Sequence, residues 1–359
     1  VYFKFRVRKF MKLFKSLLVA PATLGLLAPV AATANEVTIS DFTPAEQLAI
    51  TNSRVDGLEA RLNNFEAGSF SETTTASFSA DMYLGAEDTD DATTTDDAVM
   101  AGYSFQIDLN TSFTGEDSLD IAIDAGVSGV GIDEFDGNTN GDSLKVDGLS
   151  YTFPLGDKTT VIAGIDTDGS ALFTTSCVYG GPSNMLDDCA NVNAGITGGG
   201  ATVGAAYDFG TGLTAAFGAQ TTESAVFTDE SLDSYALNAA YTADSYGVSV
   251  TYGVVETSTT NEDTYTAFNA YYLPEGDNLP SLSVGYEIGD IGGAAATVDE
   301  KTSFMVGLSW DEVGPGSAGI ALGHSSTVEG SDEEYQYEAY YSYPINDGMT
   351  ITPLIYSKD

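Results

Sequence analysis

Residues 119–127 read Leu119-Asp120-Ile121-Ala122-Ile123-Asp124-Ala125-Gly126-Val127. Leu119, Ile121, Ile123, Ala125 and Val127 fall on one face of an extended chain. Asp120, Ala122, Asp124 and Gly126 fall on the other, because successive strand side chains point to opposite faces. One face is apolar and the other is small or acidic. Two folds give that alternation. A soluble sandwich turns the apolar face inward. An outer-membrane barrel turns it outward to lipid and turns the polar face toward a wet lumen.

The pattern recurs from residue 76 to the C-terminus. Apolar rows fall at Ala76–Leu84, Tyr103–Leu109, Leu119–Val127, Leu149–Leu155, Val161–Ile165, Val203–Phe209, Leu213–Ala219 and Tyr235–Tyr241. They continue at Val248–Val254, Thr266–Tyr272, Leu282–Ile288, Phe304–Trp310, Ala318–Leu322, Tyr335–Tyr343 and Met349–Tyr356. Tight connections such as Gly210-Thr211-Gly212 and Asn346-Asp347-Gly348 alternate with longer acidic ones, and tyrosines gather near strand ends. Both features mark a membrane barrel, with short periplasmic turns, longer external loops and aromatic girdles. The expected fold is all-β, an antiparallel transmembrane β-barrel over residues 69–359. Fifteen strands are counted, whereas bacterial single-chain barrels have even numbers. A sixteenth strand beyond residue 359 is therefore expected, a miscounted hairpin being the alternative.

Charge narrows the function. The chain has 359 residues, 53 acidic against 12 basic, and a formal net charge of −41. That excludes a phosphate-binding surface, so no nucleic-acid partner is expected. Lys4, Arg6, Arg8, Lys9, Lys12 and Lys15 crowd the first 15 positions. Lys12 and Lys15 precede an apolar run over 17–30 that ends in Ala32-Thr33-Ala34. A basic segment, an apolar segment and A-x-A make a secretory signal peptide. The run is broken by Pro21 and Pro29 and falls short of the roughly 20 residues a spanning helix needs. Residues 1–34 are assigned to an upstream extension, with Met11 as natural start, plus signal peptide; the mature chain begins near Asn35. Residues 35–68 form a linker with a short helix. Thr43, Pro44 and Glu46 supply its start. Leu48, Thr51, Val55, Leu58, Leu62 and Phe65 repeat at spacings of three and four, as in a coiled coil. An amphipathic helix lying on its own barrel is the alternative.

Several stretches carry a family resemblance: Arg54-Val55-Asp56-Gly57-Leu58-Glu59-Ala60-Arg61-Leu62, Thr111-Ser112-Phe113-Thr114-Gly115-Glu116-Asp117, Tyr151-Thr152-Phe153-Pro154-Leu155-Gly156-Asp157 and Tyr341-Ser342-Tyr343-Pro344-Ile345. Together with the signal peptide they resemble marine cyanobacterial outer-membrane porins, the iron-uptake or carbohydrate-selective porin family. The resemblance implies an outer-membrane location, a lipid surround and a homotrimer. It departs at residues 35–47, too short for the family's surface-layer-homology domain, which puts peptidoglycan anchoring in doubt. By analogy with general porins, the long connection over 168–200 is expected to fold inward and narrow the pore.

That connection holds Cys177 and Cys189. An exported chain meets an oxidising compartment, so a disulfide is expected. A paired-cysteine metal site is the alternative, although no histidine lies nearby. Candidate pore-lining residues on the polar faces are Asp81, Asp108, Asp120, Asp124, Asp166, Asp208, Glu287 and Glu338. Acid-lined pores favour cations; the competing reading is that the acids serve solubility and many merely coat loops. Asp136, Asn138, Asn140 and Asp147 fit the calcium-loop spacing of an EF-hand without its flanking helices, and a solvated loop explains them more simply. The one histidine, His324, lies in the apolar register. Nucleophile-elbow, Walker and zinc-protease motifs are missing, so neither an enzyme nor a cofactor is expected. The sequence reading is a diffusion porin for small hydrophilic solutes, cation-preferring. A substrate-specific iron or carbohydrate channel and a structural protein tying envelope layers are the alternatives.

Overall fold

The computed structural model describes residues 73–88, 98–127, 134–135, 141–221, 226, 232–258, 261–276, 279–292 and 299–358. The signal peptide and helix expected upstream of residue 69 lie outside these residues, as do Asp136, Asn138 and Asn140.

Every regular element among the described residues is a strand. In order these are β1 (Thr74–Gly85), β2 (Met100–Thr111), β3 (Ser118–Val127), β4 (Lys145–Pro154), β5 (Thr159–Ile165), β6 (Ala201–Asp208), β7 (Leu213–Thr221) and β8 (Asp233–Thr242). They continue as β9 (Tyr246–Ser258), β10 (Asn261–Tyr272), β11 (Ser281–Asp290), β12 (Glu300–Val313), β13 (Gly316–Val328), β14 (Gln336–Asn346), β15 (Met349–Ile351) and β16 (Leu354–Lys358). Each strand pairs antiparallel with its sequence neighbour up to β15, and β16 also pairs with β14. The strand expected over 349–356 is thus broken into two pieces on one partner. Pro353 lacks an N–H for the ladder, and the break falls at Thr352-Pro353. The Pro353 carbonyl still accepts from Tyr341 N at 3.1 Å, so the edge stays attached across it.

The surface is inverted relative to a water-soluble protein. Phe217, Leu237, Val250, Phe268, Val284 and Ile320 are exposed, whereas Thr251, Ser283, Ser303 and Glu287 are buried. Removing each large apolar side chain from water is worth about 1.5–3 kcal/mol. A band of them around the outside therefore selects hydrocarbon as its surroundings. The ladders satisfy the backbone groups that lipid cannot. Aromatic pairs mark both ends of the band. At the turn end lie Tyr151–Phe153, Tyr207–Phe209 and Tyr241–Tyr246, with ring centroids 5.5, 4.8 and 6.0 Å apart. At the loop end His324 sits edge-on to Phe304 and Tyr335, at 4.9 and 6.1 Å. Amphipathic rings suit the membrane–water boundary. The fold is a transmembrane β-barrel, and the sandwich alternative fails on this inverted surface.

Connections alternate as the sequence suggested. At the turn end, residues 209–212 and 314–315 link β6 to β7 and β12 to β13. At the loop end, residues 128–144 link β3 to β4 and residues 166–200 link β5 to β6. Two connections depart from this: only two residues separate β9 from β10 at the loop end, and eight separate β10 from β11 at the turn end. Within the Ser112–Asp117 turn, the Asp117 carboxylate accepts from Phe113 N and Thr114 N at 2.9 and 2.7 Å and from the Tyr151 hydroxyl at 2.6 Å.

Candidate functional site

The 166–200 loop lies on the inner face of the barrel. It first crosses from β7 toward β14. Gly169 N donates to Gln220 Oε1 (2.9 Å), Thr174 N to Asn238 Oδ1 (3.1 Å) and Ser176 N to Ser249 Oγ (2.9 Å). Val178 N and Tyr179 N both donate to Ser283 Oγ at 3.0 Å. The Tyr179 and Ser183 hydroxyls donate to the Glu338 carboxylate. The loop then returns. The Cys189 carbonyl accepts from Asn269 Nδ2 at 2.7 Å. Asn193 N and Ala194 N donate to Glu287 Oε2 at 2.9 and 2.8 Å. Every partner is a polar side chain of the inward register. Tyr179, Met185, Leu186, Cys189 and Ala190 bury themselves against Met305 and Ala321 of the wall. Cys177 and Cys189 form a disulfide with Cα atoms 6.4 Å apart, which ties the outgoing and returning halves together.

Inward-register glycines make this close approach possible. A Cβ added at Gly285 would lie 1.8 Å from the Cys189 carbonyl oxygen, and one at Gly218 would lie 1.8 Å from the Gly169 carbonyl oxygen. In a strand interior, glycine marks a place where another backbone comes close.

Because the loop is held against β7–β14, space remains beside the opposite wall. A cavity of about 700 Å³ opens there, and Asp108, Asp120, Asp147, Asp166 and Asp168 line it. Four local features set their positions. Asp108 accepts from Gln106 Nε2 at 2.6 Å, on β2. Asp120 accepts from Asn110 Nδ2 and the Ser118 hydroxyl, both at 2.6 Å. Asp147 is the extra residue of a β-bulge, since Ala122 pairs with Gly148 and Ile123 with Val146. A bulge re-aims the side chain it carries. Asp166 leaves β5 with φ of 50°, which starts the turn into the loop.

The remaining sequence candidates fall elsewhere. Asp81 is exposed on the inward register of β1, opposite Ser104. Asp208 sits at the turn end, accepting from Gly210 N at 2.7 Å. Asp124 is buried, in register with Gln106 and Lys145. Glu287 and Glu338 are also buried, and their carboxylates hold the loop instead of presenting open charge. The pattern therefore mixed three cavity-lining acids with two loop anchors.

It also missed acids. Asp187 and Asp188 lie on the inward loop between buried Leu186 and Cys189. Burial among wall and loop pushes the Asp188 carboxyl up to about 6, with the Asp187 and Glu287 charges adding to the effect. No strand periodicity runs through the loop to reveal them. Asp147 had a visible signal in the broken alternation Val146-Asp147-Gly148-Leu149.

Basic groups stay at the rims. Lys158 donates to the Phe209 carbonyl at the turn end (3.3 Å), and Lys301 lies over the Tyr265 ring (5.9 Å) at the loop end. Lys145 begins β4, and Lys358 pairs with Glu134 at 3.5 Å.

Solved structures share this architecture. A double-tryptophan variant of the Rh. blastica porin matches 79% of this chain and 94% of its own, with TM-score 0.52 and 11% identity. The chain has a porin fold. A single-tryptophan variant of the same porin gives TM-score 0.54 at 13% identity, over 79% of this chain and 94% of its own. Pseudomonas putida OprB gives 0.53 at 10% identity, over 79% and 87%. An uncharacterized protein of Nostoc sp. strain PCC 7120 is 26% identical over 380 residues, covering 86% of this chain. The chain spans about 65% of that relative's length. No protein-family model matches.

Proposed function

We propose that this porin-fold chain is an outer-membrane channel for passive movement of small hydrophilic solutes and ions, with a preference for cations. The observation that carries the reading is the cavity beside the inward loop, lined by five aspartates, with the described lysines at the rims. A water-filled path whose fixed charges share one sign lowers the energy of the opposite ion along its length. Acids that merely coat loops would not include Asp108 and Asp120, which line the cavity from strands β2 and β3. The open cavity favours conduction over a purely structural role.

The reading extends to assembly and location. The N-terminal segment acts as a secretory signal, and the exposed apolar band sits in outer-membrane lipid, with three copies forming a homotrimer. Planar-bilayer recording tests the function. A potassium chloride gradient across the purified, folded protein should give a reversal potential of cationic sign, and neutral sugars should swell liposomes containing it. An anionic reversal potential would remove the charge argument; absence of both current and swelling would leave only a structural role.

A further inference from the structure

The barrel wall has a seam. Ladders run from β1 to β14 and its two partners β15 and β16, and among the described residues no ladder joins β1 to β14–β16. Side chains from another part of the chain meet at that place. The Phe135 ring, from the 128–144 connection, lies 5.0 Å from Tyr83 of β1 and 6.2 Å from Tyr356 of β16. Glu134 pairs with Lys358 of β16 at 3.5 Å.

Register shows which side of the wall they occupy. Tyr83 alternates with Met82 and Leu84, which are 88% and 78% exposed on the lipid face. Tyr356 pairs with Glu338, an inward residue, and follows Ile355, 78% exposed. Both tyrosines are therefore on the lumen side, and so is Phe135. Glu134 also reaches the inward loop: its carbonyl accepts from Asn184 N at 2.9 Å. Asn184 follows Ser183, which donates to Glu338 at the point where the loop turns back.

We propose that Glu134 and Phe135 are positioning residues for the constriction, strapping the turning point of the 166–200 loop to the seam between β1 and β16. The proposal rests on the channel reading above. The wall partners of the loop lie on β7–β14, and at its turning point Glu134 adds a partner on the β1 side. Glu134 supplies a backbone acceptor there, and Phe135 fixes Glu134 by wedging between two wall tyrosines. A loop tip held this way gives a path of constant width. A loop tip released from it fluctuates and widens the path intermittently.

The test uses Asn184→Cys as a reporter in the full chain, since the native cysteines are joined and do not react. Phe135→Ala should raise its labelling by a membrane-impermeant maleimide several-fold, and should add sub-conductance steps and open-channel noise. Phe135→Trp should restore both toward the parent. Glu134→Gln, which keeps the carbonyl, should change labelling less than Phe135→Ala does. Folding is read separately by heat-modifiable gel mobility. A folded Phe135→Ala barrel with parental labelling and parental current noise would overturn the proposal while leaving the channel reading intact. If the parent passes no current, the channel reading fails, and the labelling arm still decides whether the strap holds the loop. If Phe135→Ala does not fold, Phe135→Leu takes its place, with the same two readouts and the same overturning result.

Discussion

Two aspartates behave in opposite ways because their surroundings differ. In the Ser112–Asp117 turn, the Tyr151 hydroxyl, followed by Thr114 and Ser112 donors, holds the Asp117 carboxyl well below the ordinary carboxylate range. Its contribution to stability is present above that range and is lost as pH falls below it. Asp117→Asn should lower the thermal midpoint at pH 7 and flatten the loss of stability toward pH 3, as heat-modifiable mobility would show. Asp188 is the reverse case, raised to about 6 chiefly by burial. The folded state holds its proton more tightly than an unfolded chain does. Loop docking is therefore strongest below the ordinary carboxylate range and weakens as pH rises through about 6. Over the same interval the lumen gains a negative charge. Cation selectivity in a salt gradient should increase from pH 5 to pH 7, and Asp188→Asn should remove most of that increase. None of this was legible in the sequence. Glu287 and Glu338 occupy the same inward register as Asp108 and Asp120, and what separates them is a loop contact 93 residues away for Ala194–Glu287 and 159 for Tyr179–Glu338.

Among the elements, the strands were readable because their environment enforces a strict period of two. Lipid on one side and water on the other make any slip expose every side chain wrongly. The inward loop has no such constraint, and its path was reached only by analogy. A local clue did exist in β11, where Ser283, Gly285 and Glu287 follow one another on the inward face. Ser283 receives two loop amides, Gly285 leaves room for the Cys189 carbonyl, and Glu287 receives two more amides. Gly285→Val should push the loop off β11 and raise single-channel conductance without unfolding the barrel. Converting Cys177 and Cys189 together to serine should act in the same direction, because a cross-link of this size restrains the free chain by about 2–4 kcal/mol. Unchanged conductance in both variants would show that the wall hydrogen bonds alone fix the loop.

At the scale of the molecule, the proposed cation preference belongs to the wall that the loop leaves bare. Replacing Asp108, Asp120 and Asp166 by asparagine should move the reversal potential toward zero, and more so at low ionic strength, where charges about 10 Å apart still interact. The same triple change should leave barrel stability nearly unaltered, because these carboxylates face open water. The loop's attachment has a mechanical consequence as well. It runs along the inner wall, joining β7 to β14 by side chains from at least six strands. A tube braced on one side does not flatten evenly under lateral pressure: its stiff half keeps its curvature and the compliant half, β1–β5, takes up the strain. The acid-lined cavity, the proposed path, lies in the compliant half. Conductance should therefore vary with bilayer thickness, and Gly285→Val, which loosens the brace, should change the steepness of that variation.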